Sequence, residues 1–436
     1  MGRQQNSGFP TGTVWISVVT CAALLSGIGI AVTHWNKTPS ADTIAAGKVL
    51  FEHEFQVNDP LCGEGDGLGP VFNEKSCVAC HFQGGVGGSG TNEFNAISFE
   101  AFPVPGRSEV IGGGIHMYAT NDAFEETQRL LQLQFPAVPG AIQTVSGCQT
   151  RTSDFDPLQI EEVNTPPLFG MAEIERISSA AISMHGAKRS LSKVSREFDG
   201  QFSGTGVGRV RVRSGNRIGK FGWKGQFATV EEFVANACAM ELGLSNPQVA
   251  QPVPRMHVPD EEAKLDMTRQ QLYELVAFVK SLPAPQQILP EDPERREAAI
   301  QGEALFTSIG CADCHVPDIG GVEGVYSDFH LYEVENDEVV DSYVEPDFDP
   351  EFTLPFEHPR PSEWKTPPLW GVADSEPYFH DGQSPTLEAA IERHGRDGAS
   401  SRHNYLQLSP YERYSVIEFL RSLRAPQLAA SPDMTQ

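Results

Sequence analysis

The sequence predicts a mainly α-helical protein that consists of a duplicated unit, with a β-hairpin inserted into the first copy. Three observations favour this fold class. The pattern Cys-x-x-Cys-His occurs at residues 77–81 and again at residues 311–315. Four other short stretches recur in the same order in both halves, and each half closes with an amphipathic helix that has the same start signal. A repeat of this kind indicates two copies of one structural unit.

Each copy carries two closely spaced thiols followed by a histidine: Cys77, Cys80 and His81 in the first motif, and Cys311, Cys314 and His315 in the second. Residues three apart lie side by side on one helical turn. Both thiols of a pair can therefore add to the vinyl groups of one haem, and the histidine can serve as its proximal ligand. A zinc site would need four matched ligands, and a thioredoxin-like redox pair does not need the histidine. We predict two covalently bound c-type haems.

Four landmarks accompany the motifs in both halves: "GKVLF" with "GEALF", "TPPLFG" with "TPPLWG", "GQFATVEEFV" with "GQSPTLEAAI", and "LVAFVKSLPAPQ" with "VIEFLRSLRAPQ". Their order predicts a first cytochrome-c-like haem domain over residues 41–285 and a second over residues 295–428. The Pro-rich stretch at 286–294 is predicted to link them.

The last landmark of each half is a helix with a capping box, Thr268 with Gln271 in the first half and Ser409 with Glu412 in the second. Apolar residues follow at i, i+3, i+4 and i+7, namely Leu275, Phe278, Val279 and Leu282, and Val416, Phe419, Leu420 and Leu423. Each helix is therefore expected to bury one stripe against the helix that precedes its haem motif, which is the packing of a cytochrome c unit.

Length, charge and the N-terminus limit the class of protein. The chain has 436 residues, which suggests two or three domains, and a net charge of −26. Such a charge argues against nucleic acid as a partner and favours a small, basic redox donor protein. Residues 14–32 are 19 uncharged residues, about 28 Å of helix and close to the thickness of a bilayer core. Residues 1–36 are predicted to be a signal or membrane anchor, with residues 14–32 tethering a periplasmic protein to the inner membrane.

Three other features leave alternatives open. Residues 186–224 carry ten Lys or Arg and two acids, and "RVRVR" before "SGN" predicts a β-hairpin. The arginines could pair with haem propionates, meet an acidic partner or face solvent. The acidic segment 333–352 could hold a calcium ion or be a plain acidic loop. Cys62 and Cys148 could form a disulfide, whereas Cys238, in an apolar helix, is expected to be a buried free thiol.

Taken together, "DGLGPVFNEKSCVACHFQGGVGG", "TPPLFG", "FGWKG", "YSD", "EWKTPPLWG" and "FHDGQSPTLEAAIERHG" resemble the di-haem oxidoreductase family. That family is similar to bacterial di-haem cytochrome c peroxidases, to the di-haem enzyme that matures methylamine dehydrogenase and to di-haem rubber oxygenases. The resemblance extends from about Gly47 to Gln427. It implies two cytochrome-c-like domains with electrons passing between their haems.

The resemblance assigns His394 as the distal ligand of the second haem, and the apolar spacing of Leu387, Ala390 and Ile391 places it on the buried stripe of its helix. A satisfied core histidine is the alternative. In the first copy the equivalent residue is Ala237, which cannot bind iron, so the first haem is expected to be open or weakly capped. Candidates for such a cap are Met240, Met171, Met184, His116 and His185.

The resemblance also matches Glu232 to the catalytic acid/base of di-haem peroxidases, whereas Ala389 stands at the same place in the second copy. An ordinary helix-surface glutamate is the alternative. The chain departs from the peroxidases at "FGWKG", where Phe221 and Lys224 replace a Gln and an Asp. The polarity of the distal side is therefore in doubt.

These observations predict an exported di-haem c-type cytochrome oxidoreductase, a peroxidase in which haem one reacts with peroxide or dioxygen and haem two relays electrons. One alternative is a haem-dependent oxygenase that acts on an apolar substrate. The other is an electron-transfer cytochrome without catalytic activity.

Overall fold

The computed structural model describes residues 38–102, 111–120, 127–136, 142–145, 148–151, 156–198, 206–252, 264–334, 358–360 and 362–427. The predicted anchor at 14–32 and most of the acidic segment 333–352 lie outside these residues. Within the described ranges, no helix combines the length and the apolar character that a membrane crossing requires.

Helices make up most of the regular structure of the described residues, so the chain is mainly α-helical as predicted. They are α1 Ala41–Glu52, α2 Cys77–Cys80, α3 Thr127–Gln134, α4 Met171–Arg176, α5 Ser179–Phe198, α6 Val230–Leu242, α7 Arg269–Ser281, α8 Pro293–Ser308, α9 Leu387–Arg393, α10 Ala399–Gln407 and α11 Pro410–Ser422. Both predicted capping boxes are present, at the starts of α7 and α11.

The strands are short: β1 Val71–Phe72, β2 Ala96–Ala101, β3 Ile111–Ile115, β4 Tyr118–Ala119, β5 Ile142–Val145, β6 Cys148–Arg151, β7 Leu158–Val163, β8 Val212–Arg213, β9 Arg217–Ile218, β10 Gln286–Gln287, β11 Leu331–Glu333, β12 Glu363–Lys365 and β13 Leu423–Arg424. In one three-stranded antiparallel sheet, β2 lies between β3 and β7. The sequence analysis did not predict this sheet, because its strands are partly buried on both faces and one of them contains three consecutive glycines.

The two copies share one helix-crossing geometry. A Cβ atom on Gly47 of α1 would lie 1.9 Å from the carbonyl oxygen of Glu274 in α7. A Cβ atom on Gly302 of α8 would likewise lie 1.9 Å from the carbonyl oxygen of Ser415 in α11. These helices therefore cross with their backbones in direct contact, and the glycines of "GKVLF" and "GEALF" are what allow it.

An aromatic pair marks the same crossing in both copies. The rings of Phe51 and Phe278 have centroids 5.1 Å apart at 56°, and those of Phe306 and Phe419 are 5.3 Å apart at 59°. The predicted apolar stripes of α7 and α11 are buried around these pairs. The repeated landmarks therefore occupy equivalent places at the two helix crossings.

The basic segment 186–224 forms parts of α5 and the short antiparallel pair β8–β9, in which Val212 lies opposite Ile218. Several of its described cations bind acidic or carbonyl groups of the protein. Arg209 pairs with Glu363 at 2.6 Å. Lys220, which is buried, donates to the carbonyl oxygens of Glu175 and Ile177 at 2.6 and 2.9 Å. These contacts hold the first-copy insertion to its surroundings, including the second copy.

Candidate functional site

Each proximal histidine is oriented by a backbone carbonyl. The Nδ1 atom of His81 lies 3.0 Å from the carbonyl oxygen of Gly88, and that of His315 lies 3.1 Å from the carbonyl oxygen of Tyr326. Such a bond leaves Nε2 as the acceptor that can bind a metal ion. Burial lowers the pKa of both imidazoles to about 4, although hydrogen bonds to nearby carbonyls oppose it. Both histidines are therefore neutral at ordinary pH, the form that a metal ligand needs.

The phenylalanine of the crossing contacts the proximal histidine in both copies. Ring centroids are 6.2 Å apart for Phe51 and His81 and 6.3 Å apart for Phe306 and His315. The "GKVLF" and "GEALF" landmarks thus contribute to both the helix crossing and the wall of the site. This double role explains why glycine and phenylalanine recur at a fixed spacing.

The four motif cysteines are free thiols of high pKa. Burial raises the pKa of Cys77 and Cys311 to about 12 and that of Cys314 to about 11, and it also raises the pKa of Cys80. A redox-active pair needs a stabilised thiolate, which these surroundings do not provide. Among the described residues, no group of three or more His, Cys, Asp or Glu side chains could hold a metal ion. The surroundings of these thiols are therefore unlike those of a redox-active pair.

The remaining cysteines have simpler surroundings. Cys238 is a buried free thiol in α6, as predicted. Cys62 is also free and buried, and the side chain of its predicted partner, Cys148, lies outside the described residues.

The second-motif cavity, lined by Cys311, Cys314 and His315, also contains His394. The imidazole rings of His315 and His394 have centroids 6.4 Å apart. Two imidazoles that bind one metal ion place their ring centres about 6 Å apart, since each bond is about 2 Å long and the ring centre lies roughly 1 Å beyond the nitrogen. The His394 Nδ1 atom lies 2.8 Å from the carbonyl oxygen of Ala390, so Nε2 is again the free atom. His315 and His394 are therefore the residues that would hold a haem iron in this cavity.

The first-motif cavity is lined by Cys77, Cys80 and His81, and among the described residues of its wall no histidine takes the place of His394. It is the larger cavity, about 530 Å³ against about 220 Å³, and Ala237 is part of its wall. Helices α6 and α9 begin alike, because the Thr229 and Thr386 side chains both cap the third amide of their helices. Ala237 and His394 each follow the capping threonine of their helix by eight residues. The equivalent caps therefore support treating these two positions as counterparts.

Of the five candidates for a cap on haem one, only Met240 lines the first-motif cavity. The Nε2 atom of His116 is 2.8 Å from the carbonyl oxygen of Met240, and Met184 is 67% exposed. Met171 is buried in the core, and His185 lies against His330, with ring centroids 6.3 Å apart.

Glu232 serves as a helix cap. Its Oε2 atom accepts from the backbone nitrogens of Ala228 and Thr229 at 3.0 and 3.2 Å, and its Oε1 atom pairs with Arg217 at 2.5 Å. Burial raises its pKa, but these hydrogen bonds and the arginine outweigh burial, so the pKa lies below its ordinary value. Glu232 is not among the residues that line the first-motif cavity. The structure thus gives this side chain a structural role, and its predicted acid/base role stays a prediction.

Glu241, the penultimate residue of α6, does line the first-motif cavity. Burial raises its pKa, although a hydrogen bond from Asn73 Nδ2 at 2.5 Å opposes the shift. A raised pKa favours the protonated form of a carboxyl group, which is the form that can donate a proton. The sequence analysis did not single out Glu241, and its position on the same helix face as Val234 and Cys238 was the signal that could have identified it.

The two residues of "FGWKG" that depart from the peroxidase pattern, Phe221 and Lys224, differ in whether they line the first-motif cavity. Phe221 is buried in the core and does not line the cavity, although Phe227, with which its backbone forms a bridge, does. Lys224 does line the first-motif cavity, where it pairs with Glu161 at 3.1 Å. Its Nζ atom also lies 4.3 Å from the centre of the Trp364 ring. Of the two departures from the peroxidase pattern, only Lys224 changes the polarity of the cavity.

Four residues line both cavities: Asn164, Pro166, Trp223 and Trp364. The Trp223 indole donates to the Asn164 carbonyl oxygen at 2.7 Å, and the Trp364 ring stacks on His380 at 3.4 Å. The two cavities are therefore separated by a thin wall that contains two indole rings.

Arg189 of α5 joins the first-copy insertion to the second motif. It donates to the carbonyl oxygen of Asp313, to Cys314 Sγ at 3.5 Å and to the Tyr332 hydroxyl at 2.7 Å. Asp328, also buried, lies 3.7 Å from the same guanidinium group. The basic segment thus places one of its arginines directly at a predicted haem-attachment site.

The fold and the two cavities define a mainly α-helical protein with two equivalent Cys-x-x-Cys-His sites and one additional facing histidine. Residues 259–423 match the family model described as "Di-haem oxidoreductase, putative peroxidase". This match confirms the resemblance predicted from the motifs, and the protein is an oxidoreductase related to a family that carries two haems. Residues before 259 lie outside the match.

Comparisons with solved structures give distant similarities. Hydrazine synthase from Kuenenia stuttgartiensis aligns over 97% of this chain and 100% of its own, with 13% identity and a TM-score of 0.42. The diheme peroxidase BthA from Burkholderia thailandensis E264 aligns over 88% and 86%, with 15% identity and a TM-score of 0.38. A MauG-like protein associated with microbial copper homeostasis aligns over 51% and 79%, with 17% identity and a TM-score of 0.28. No curated protein sequence matches the chain.

Proposed function

We propose that the protein is an exported di-haem c-type peroxidase that takes electrons from a small basic redox protein. The first-motif cavity is the reaction centre, and the second-motif cavity holds the relay haem. The N-terminal segment, residues 1–36, is proposed to direct export, with residues 14–32 as an inner-membrane anchor. The domains are proposed at 41–285 and 295–428, joined by the linker 286–294.

The observation that carries this proposal is the difference between two equivalent positions. His394 faces His315 across a small cavity, whereas Ala237 leaves the larger first-motif cavity without a facing imidazole. A haem bound by two histidines suits electron transfer, and one with an open position supplies an iron that binds peroxide or dioxygen. The asymmetry therefore supports distinct roles for the two sites.

In this proposal each side chain of the first-motif cavity has a defined task. Cys77 and Cys80 anchor the haem, and His81, held by the Gly88 carbonyl, binds its iron. Glu241 provides a proton to the leaving oxygen of peroxide, while Asn73 holds its carboxyl group. The corresponding anchors and proximal ligand of the relay site are Cys311, Cys314 and His315. Trp223 and Trp364 lie between the two cavities, where electrons must pass.

The test compares two glutamates on helix α6. General acid–base catalysis typically contributes about 10²–10⁴-fold, so Glu241→Gln is expected to slow peroxide turnover of the reduced enzyme by about that factor. Glu232→Gln, the matched control at the helix cap, is expected to retain turnover at full haem content. Turnover is measured with hydrogen peroxide and a small electron donor under anaerobic conditions.

Other results would revise the assignment in defined ways. Loss of turnover in Glu232→Gln alone would return the acid/base role to Glu232. A wild-type enzyme without peroxide turnover that consumes dioxygen with an apolar organic substrate would be an oxygenase. Inertness toward both oxidants would leave an electron-transfer cytochrome.

A further inference from the structure

Lys365 is a buried cation in the wall of the second-motif cavity. It is only 6% exposed. Its Nζ atom reaches the carbonyl oxygen of Thr366 at 3.4 Å, a long hydrogen bond, and lies 5.7 Å from the centre of the Phe329 ring. Within the described part of the chain, no ion pair involves this ammonium group. A charge in such surroundings needs a counterion, because burial has removed the hydrating water molecules and the protein supplies only one long hydrogen bond in their place.

The acidic group that acts on Lys365 from within the protein already has other partners. Asp328 attracts the ammonium group electrostatically, but burial still lowers the pKa of Lys365 to about 8. The two oxygens of Asp328 accept from the backbone nitrogen of His330 at 3.0 Å and from the Tyr332 hydroxyl at 2.7 Å. Asp328 is therefore shared among several groups, and Lys365 also lines the second-motif cavity.

The repeat shows that the fold does not require a cation at this place. Lys365 precedes "TPPLWG", and the residue that precedes "TPPLFG" is Asn164. The Asn164 side chain is neutral and satisfied by the Gly90 carbonyl at 3.3 Å and by Asn95 Oδ1 at 3.0 Å. Only the second copy has a charged residue at this position.

We propose that Lys365 binds a propionate carboxylate of the haem held by His315 and thereby raises the midpoint potential of that haem. A haem carries two propionates, which are anions at neutral pH and match a buried ammonium group in charge. Reduction of the iron adds one negative charge, which a nearby cation stabilises. This inference rests on the proposed haem occupancy of the cavity, and it does not depend on peroxidase activity.

The test measures the midpoint potential of the low-spin haem by spectroelectrochemical titration of the full-length protein. Lys365→Met is expected to lower the reduction equilibrium constant about tenfold, a shift of 59 mV for one electron. Lys365→Arg keeps the charge, so its reduction equilibrium constant is expected to stay within twofold of the wild-type value. Lys220→Met is the matched control, because Lys220 is equally buried, has a pKa lowered to about 8 and lines neither cavity.

The proposal would be overturned if the reduction equilibrium constant of the low-spin haem in Lys365→Met stayed within twofold of wild type. It would also be overturned if the midpoint potentials of both haems shifted equally, or if Lys365→Arg shifted the potential as much as Lys365→Met. If Lys365→Met does not accumulate, Lys365→Gln is titrated instead, with the same expectation. Resonance Raman spectra provide a second readout, since the propionate bending mode of the low-spin haem is expected to move in the neutral variant only. Peroxide turnover is not a readout, so a failed peroxidase assignment and a failed propionate contact give different results.

Discussion

At the scale of single residues, the chemistry of the two sites differs mainly through Ala237 and His394. Both residues follow a threonine cap by eight positions, and both line the cavity of their own copy. One side chain can bind iron and the other cannot, although the backbone that presents them begins in the same way. The two positions also differ in backbone, since Ala237 lies inside its helix and His394 is the extended residue that ends its helix.

Removal of the His394 imidazole should leave the second site, like the first, without a second histidine ligand. His394→Ala is expected to convert the low-spin haem to a high-spin form that binds cyanide or carbon monoxide, because the sixth position loses its ligand. The measurement is an electron spin-resonance spectrum of the oxidised protein, which for wild type should show one low-spin and one high-spin haem. His403→Ala, on the neighbouring helix α10 and outside both cavities, is the control. An unchanged spectrum in a folded His394→Ala protein would identify His394 as a core residue.

At the scale of elements, each site depends on a pair of helices whose backbones touch. Gly302 and Gly47 permit the contact, and the phenylalanine four residues later reaches the proximal histidine of its copy. Sequence periodicity identified the apolar stripes of α7 and α11, but the closeness of the crossing depends on the absence of a side chain at two positions. Helix packing and the wall of the site are thus produced by the same short motif.

Replacing the glycine at the helix crossing by alanine is predicted to destabilise the protein, whereas the same change in most helices is stabilising. In an ordinary helix interior, replacing Gly by Ala stabilises the protein by about 0.5–1 kcal/mol. Gly302→Ala is instead expected to lower the free energy of unfolding by about 1–3 kcal/mol, because the new Cβ atom would meet the Ser415 carbonyl oxygen at 1.9 Å. Denaturant titration measures the change, with Glu297→Ala, an exposed position of the same helix, as the control. A Gly302→Ala protein as stable as wild type would show that the helices can separate at no cost.

At the scale of the whole molecule, the two copies are interlocked rather than merely linked. Arg189 and Arg209 extend from the first-copy insertion to Asp313 and Glu363 of the second copy. The larger apolar core also includes Phe329 and other second-copy residues. The wall with Trp223 and Trp364 is part of the same association. Electron transfer between two haems would require such a fixed separation.

Covalent attachment is testable on the whole chain. Because each Cys pair is expected to form two thioethers, both haems should remain bound in denaturing electrophoresis, and mass spectrometry should show two haem additions. Cys77→Ala combined with Cys80→Ala is expected to remove one addition and to leave the His394-dependent spectrum in place. Cys238→Ala, which changes a buried thiol outside the motifs, is the control. A native protein with one haem, or with bound zinc, would contradict the two-haem assignment.

The sequence alone indicated the class of chemistry, because the proposed covalent haem attachment needs residues close together in the chain and leaves a local pattern. It also located the repeated helices, whose capping boxes and apolar periodicity are short-range features. The sequence did not locate the three-stranded sheet, the acidic group of the first-motif cavity or the unpaired charge of Lys365. The family match suggested Glu232, which the fold uses to cap a helix, whereas Glu241 on the next turns of α6 lines the cavity. Whether a carboxylate or an ammonium group finds a partner depends on residues far away in the chain, and only tertiary structure decides that.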